Sequence, residues 1–275
     1  MQHKDIGFIG GGNMASSLVG GLIAGGADPH TLWVAEPVAG KREELRQRFG
    51  IQVAARATDV VANTDTLVFA VKPQVMAAVV RALAPDINTK RPLLISIAAG
   101  VREPDIRRWV GFEAAIVRCM PNTPALVSSG ATALYANANV SQEERERAES
   151  VLRAVGTAIW VDDEGLLDAV TALSGSGPAY FFLLTELLEK AGCQLGLPAE
   201  TARALSLQTA YGAAKMALES EHDPATLRVQ VTSPGGTTER ALARFQEGGL
   251  EALVLDAVAA ARDRSVELGE QLGKA

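Results

Sequence analysis

The chain has 275 residues, a formal net charge of −6, and 48% hydrophobic and 21% charged residues. That length allows two modest domains with ample core, and the composition is that of a soluble globular protein. An acidic balance argues against a nucleic-acid partner, which calls for a basic face. Two cysteines, Cys119 and Cys193, make no disulfide framework and point to a reducing compartment. Together with His3, His30 and His222 they show no metal-ligand spacing, so no metal site is expected. The opening Met1-Gln2-His3-Lys4-Asp5 lacks signal-peptide character, and no apolar run is long enough to span a bilayer. A cytoplasmic protein without a membrane partner is the expectation.

Short apolar runs alternate with helical patterns over the first ~160 residues. Ile6–Ile9, Leu32–Val34, Thr66–Phe69 and Leu93–Ser96 read as buried parallel strands, with amphipathic stretches such as Val38–Phe49 and Val75–Leu83 between them. Further strand patterns cover 115–120 and 131–135, and a helix is expected around 141–154, where Ser141 and Glu144 have capping-box spacing. Alternation of this kind means βαβ units and a doubly wound, Rossmann-like sheet. After about Asp162 only helices are read, over 165–173, 179–191, 198–220, 224–231, 237–246 and 250–272. The change of grammar divides the chain into a dinucleotide-binding domain over 1–162 and an all-helical domain over 163–275. The helical half is rich in Ala and Leu and short of polar faces, which suggests that a second subunit covers much of it.

Gly10-Gly11-Gly12-Asn13-Met14-Ala15 follows the first strand and opens a helix, fitting G-x-G-x-x-A at Gly10, Gly12 and Ala15. Gly10 permits the tight turn, Gly12 lets a pyrophosphate reach the backbone, and the helix N-terminus faces the phosphates. A structural glycine turn would use the same residues, but the position between strand and helix favours dinucleotide binding. Glu36, at the end of the second strand, stands where an acid would hydrogen-bond a ribose 2′-OH and favour NAD. Lys41, Arg42 and Arg56 lie close enough in sequence to meet a 2′-phosphate instead, so NADP(H) and NAD(H) both stay open. Ala70-Val71-Lys72-Pro73-Gln74 leaves the fourth strand at the sheet edge where ligands bind. Lys72 there reads as a catalytic acid, a cofactor contact or a plain surface lysine. Arg118–Pro124 is another strand exit, stiffened by two prolines and carrying Asn122 and Thr123.

Near the other end, Val231-Thr232-Ser233-Pro234-Gly235-Gly236-Thr237-Thr238-Glu239 concentrates hydroxyls and glycines inside a helical region. Backbone N–H groups there, with a helix beginning near Thr237, suit a small carboxylate. The competing reading is a plain helix–helix turn with Thr237 or Thr238 as cap.

These segments resemble one family, pyrroline-5-carboxylate reductase. The matching pieces are IGFIGGGNMA (6–15), AVKPQ (70–74), ISIAAGV (95–101), RCMPNTPA (118–125), LSGSGPAY (173–180), AAKM (213–216) and VTSPGGTTERAL (231–242). The last is similar to the family's signature and is the most specific. The resemblance implies an N-terminal Rossmann-like domain, a C-terminal helical dimerisation domain, and intertwined dimers that assemble further, typically five into a ring. It also implies a substrate cradle of Ser233, Gly235, Gly236, Thr237 and Thr238, with Thr238 beside the ring nitrogen and Glu221 near the substrate ring. Gly10, Gly12, Asn13, Met14, Ala70, Lys72 and Pro73 would contact the cofactor, and Ser174–Pro178 resembles a hinge. One departure stands out: Arg56-Ala57 occupies the place of a cofactor-binding Asn.

The implied reaction is hydride transfer from NAD(P)H to the C=N carbon of 1-pyrroline-5-carboxylate, giving proline. Such chemistry needs little beyond geometry and a proton source, and no histidine sits in any of the motifs. Thr238 is the candidate catalytic residue. Glu221 is read either as positioning the ring or as capping the helix from Pro224. Two rivals remain at this level. A β-hydroxyacid-type dehydrogenase would use a lysine of the second half, Lys190 or Lys215. A non-catalytic dinucleotide-binding sensor would have no need of the cradle.

Overall fold

Parallel strands need both faces covered, and the apolar runs of the first half supply that. The structure, a computed structural model, describes residues 5–274; His3 lies outside them. Eight strands form one sheet: β1 (Ile6–Ile9), β2 (Leu32–Ala35), β3 (Gln52–Ala54), β4 (Thr66–Phe69), β5 (Leu93–Ser96), β6 (Ile116–Met120), β7 (Gly130–Ala136) and β8 (Gly156–Trp160). Their order is β3-β2-β1-β4-β5-β6-β7-β8. The first six run parallel, with Phe8 opposite Val34 on one side and Val68 on the other.

The run of parallel pairings ends at β7, which pairs antiparallel to β6, while β8 runs parallel to β7. The cause is the connection. Residues 121–129 hold only a short 3₁₀ segment, Thr123–Val127, and a parallel return needs a dozen or more residues.

Helices α1 (Asn13–Ala24), α2 (Ala39–Phe49), α3 (Ala57–Asn63), α4 (Pro73–Lys90), α5 (Glu103–Val110) and α6 (Gln142–Arg153) join the strands. The capping box expected at Ser141 and Glu144 is present in both directions. Side-chain alternation splits the core between the two sheet faces. Phe8, Val34, Val68 and Ile95 bury one way against α1 and α6, while Ile9, Leu67, Phe69 and Leu94 bury the other way against α3, α4 and α5.

After β8 the chain is helical: α7 (Leu166–Val170), a π turn Thr171–Gly175, α8 (Gly177–Gln194), α9 (Ala199–Glu219), α10 (Pro224–Gln230), α11 (Thr237–Glu247) and α12 (Leu250–Gly273). Two compact units result. The first runs to Ser176 and takes back the chain from Ala261 onward; the second is Gly177–Ala260. The end of α12 belongs to the first unit through side-chain chemistry. Ser265 Oγ donates to Asp168 Oδ1 at 2.7 Å, and Asp168 also meets Arg102 at 3.3 Å. Within the second unit α8 and α9 lie side by side, joined where Gly192 approaches Ala202.

Candidate active site

The glycine loop is built by contact with the next strand's exit. Gly10 has φ +102°, and a Cβ there would stand 2.8 Å from the Ala70 carbonyl oxygen. Only glycine fits, so Gly10 and Ala70 meet through backbone alone. The Gly10 N–H donates to Ala35 O, and that of Ala70 to Ile9 O, both at 2.9 Å. Gly12 is the N-cap of α1 with extended backbone, no side-chain cap, and open space where a Cβ would lie. The first turn of α1 therefore presents unbonded N–H groups beside an uncrowded loop, which is what a pyrophosphate requires. The residues present fit a dinucleotide.

Glu36 lies at the end of β2, only 7% exposed. Its Oε1 accepts the Val38 N–H at 3.0 Å and its Oε2 accepts the Gly11 N–H at 3.3 Å. The three cations near it in sequence differ in their engagement. Arg42 Nη1 donates to the carbonyls of Glu36 and Pro37 at 2.8 and 2.7 Å. Arg56 is paired with Asp59 at 2.7 Å. Lys41 lines a cleft of about 330 Å³ with Gly12, Asn13, Glu44 and Arg48. Asn13 is exposed at the first position of α1, whereas the Met14 side chain packs against the core. Lys72 is exposed just before Pro73, the first residue of α4.

A second cleft of about 550 Å³ opens beside the exits of β4 and β5, lined by Pro73, Gln74, Gly100, Thr171, Ser176 and Ser265 among others. The loop after β6 is tied to the π turn next to it. Asn122 Nδ2 donates to Ser174 O at 3.0 Å, and Asn122 Oδ1 accepts the Ala131 N–H at 2.9 Å. Gly175 lies so close to Met120 that a Cβ would meet its Cε at 2.5 Å. The run Ser174–Pro178 thus straddles the division between the units, which follows Ser176.

In the second unit the segment 231–239 turns at Gly235, with φ +72°, and α11 starts at once. Its N-cap is Gly236, without a side-chain cap bond. The expectation of Thr237 or Thr238 as a cap is corrected: they hold the first two helical positions. No side-chain hydrogen bond from either hydroxyl occurs among the described residues. The amides of this turn are not equivalent. The Gly235 N–H donates to Glu239 Oε2 at 2.8 Å and the Gly236 N–H to Ser233 O at 3.0 Å. The N–H groups of the first α11 turn have no carbonyl four residues back within the helix. Glu239 was legible only as a carboxylate at the third helical position, the spacing of a backward cap.

Glu221 does not cap α10. The N-cap is Asp223, whose carboxylate accepts the Thr226 N–H at 2.9 Å and its hydroxyl at 3.1 Å. The Thr226 backbone bond, followed by its hydroxyl, holds the Asp223 carboxyl below the usual carboxylate range. Glu221 is exposed and makes no side-chain hydrogen bond among the described residues. Lys190 and Lys215 each pair with a glutamate on their own exposed helix faces, Glu186 at 2.5 Å and Glu219 at 3.7 Å. Neither sits as a catalytic base would. Cys119 is buried, and burial pushes its thiol up out of the reactive range. Among the described residues no cluster of His, Cys, Asp and Glu could hold a metal, and no helix is long and apolar enough to cross a membrane.

Comparison with known proteins agrees along the whole chain. Residues 164–268 match the family described as pyrroline-5-carboxylate reductase dimerisation, and residues 5–100 match NADP oxidoreductase, coenzyme F420-dependent. A pyrroline-5-carboxylate reductase of Pseudomonas aeruginosa is 53% identical over 274 residues, covering 100% of both chains. Among solved structures, a pyrroline-5-carboxylate reductase from Coxiella burnetii superposes with a TM-score of 0.93 at 45% identity, covering 96% of this chain and 98% of that one. The Plasmodium falciparum pyrroline carboxylate reductase with NADP bound gives 0.85 at 30% identity, covering 98% and 99%.

Proposed function

The chain belongs to the pyrroline-5-carboxylate reductase family, and from that premise we propose which of its residues carry the reaction. The activity is reduction of the C=N bond of 1-pyrroline-5-carboxylate to L-proline by an NAD(P)H-dependent oxidoreductase, and the chain self-associates through its helical half. In our reading residues 1–162 bind the dinucleotide, and 163–275 dimerise and bind substrate. Gly10, Gly12, Asn13, Met14, Glu36, Ala70, Lys72 and Pro73 hold the cofactor, with Met14 contributing backbone rather than side chain. The reduced nicotinamide supplies the hydride for the C=N carbon.

Everything else falls to the protein. The first-turn N–H groups of α11 bind the substrate carboxylate, with Ser233 and the turn at Gly235 and Gly236 shaping the cradle. Thr237 lends a second hydroxyl. Thr238 hydrogen-bonds the ring nitrogen and passes on the proton that balances the hydride, and Glu221 orients the ring. The observation that carries this reading is that the Thr237 and Thr238 hydroxyls stand at the open start of α11, engaged in no cap. Mixing purified protein, pyrroline-5-carboxylate and NADH or NADPH, and following cofactor absorbance, tests it. Turnover that survives Thr238→Ala undiminished would remove Thr238 from the reaction.

Apolar exposure supports the assembly. Phe181, Phe182, Leu187 and Leu188 on α8, and Leu253 and Leu255 on α12, are exposed in the single chain. Apart from Gly177 and Ala202, no residue of α8 or α9 is buried. Helices so uncovered need a second copy; dimers that build to a decamer, in the cytoplasm, complete the proposal.

A further inference from the structure

Resting on the dinucleotide site proposed above, we infer that its ribose end selects NADH over NADPH, and that Glu36 is the residue that selects. The carboxylate is fixed. Two backbone N–H groups, those of Gly11 and Val38, hold its two oxygens, and its own N–H is tied to Ala54 O at 3.0 Å. It also stands against the phosphate loop, for a Cβ on Gly11 would come within 3.3 Å of Glu36 Cβ and Oε2. A group held this way cannot swing aside when the adenosine ribose arrives.

A ribose 2′-OH donates a hydrogen bond to such a carboxylate. A 2′-phosphate carries up to about two negative charges and three acceptors, and it meets a carboxylate that offers it no donor and repels it. Compensation would need a cation able to close on the phosphate. Arg42 is committed to two backbone carbonyls, and Arg56 forms a two-pronged pair with Asp59. Arg48 lies over the Phe49 ring at 4.8 Å, and Lys41 is left, in a cleft that it shares with Arg48 and with the carboxylate of Glu44. One flexible lysine against a fixed carboxylate leaves the balance with the 2′-OH.

The test is equilibrium binding of NADH and of NADPH, by calorimetry, to the purified full chain without substrate. Wild type is expected to bind NADH about 10–100-fold more tightly, the scale of one charged hydrogen bond gained and one repulsion avoided. Glu36→Gln removes the charge but keeps an acceptor, and should narrow that ratio by raising NADPH affinity. Arg42→Ala should leave NADPH affinity within about threefold, on the scale of a contact the phosphate does not use. Tighter binding of NADPH by wild type would overturn the inference. So would a Glu36→Gln variant that loses both nucleotides equally, which would make the carboxylate only a brace for the loop. These outcomes separate from failure of the proposed reaction, because that would show as nucleotide binding with no turnover of pyrroline-5-carboxylate.

Discussion

Gly10 and Ala70 touch through backbone, with 2.8 Å between the carbonyl oxygen of Ala70 and the place a Gly10 Cβ would take. Replacing Gly10 by Ala adds a side chain at φ +102°, where L residues rarely go, and drives it into a carbonyl that cannot rotate away. Positive φ costs about 1–3 kcal/mol and overpacking about as much again, so about 2–6 kcal/mol of stability should be lost. Urea unfolding measures that loss. Calorimetry on the surviving folded fraction should show weakened binding of both NADH and NADPH, because the loop rather than the ribose end has changed.

Thr238→Ala should lower kcat/KM by about 10–100-fold, the scale of one or two polar contacts made at the transition state. Its melting temperature should stay close to wild type. The structure separates these effects because Gly236 and not Thr238 caps α11. Thr238→Ser restores the hydroxyl and should recover most of the rate. A variant that melts early and recovers nothing with Ser would assign Thr238 to the helix alone.

Asp223 and Glu221 should part company in the same assays. The Asp223 carboxyl is held low by the Thr226 N–H, so its contribution is present above about pH 4, the ordinary carboxylate value, and disappears as pH falls through the lower folded value. Asp223→Ala should therefore lower the melting temperature at neutral pH, and the gap to wild type should close in acid. Glu221→Gln should leave the melting curve unmoved and reduce kcat/KM about 10-fold, the scale of one lost polar contact to the ring.

Much of this was legible in the sequence because local patterns agree with the fold. Four of the parallel strands declare themselves as apolar runs, and the glycine loop sits between strand and helix, where a dinucleotide needs it. What escaped depends on long-range pairing. The reversal at β7 follows from the length of the 121–129 connection, which no residue pattern announces. As an edge strand, β8 leaves Ile159 59% exposed, so its hydrophobic alternation does not point at a core. The return of α12 to the first unit rests on Ser265 and Asp168, a pair 97 residues apart. At the cradle, the hydroxyls and glycines were readable, but the Glu239 carboxylate on the Gly235 N–H appears only once the turn is built. The cap of α10 follows local rules instead: Asp223 directly precedes the helix-opening Pro224, and its short carboxylate reaches the Thr226 N–H as an N-cap should, which leaves Glu221 outside the helix.

The uncovered helices make the last expectation. Phe182 is 70% exposed on α8 in the single chain, among other apolar side chains of the same helix. An isolated α8–α9 pair with that surface in water would aggregate unless a matching surface closes over it. Phe182→Glu puts a charge where a second copy must pack. Burying an unpaired carboxylate costs several kcal/mol, more than a typical interface can lose at micromolar protein. Wild type should scatter light as a dimer or a larger even assembly, and the variant should shift toward the monomer. Activity should fall with it, since the proposed cradle at Ser233–Thr238 belongs to the same helical unit that loses its cover. An unchanged mass and rate would mean that α8 meets solvent in the working enzyme and that some other face joins the copies.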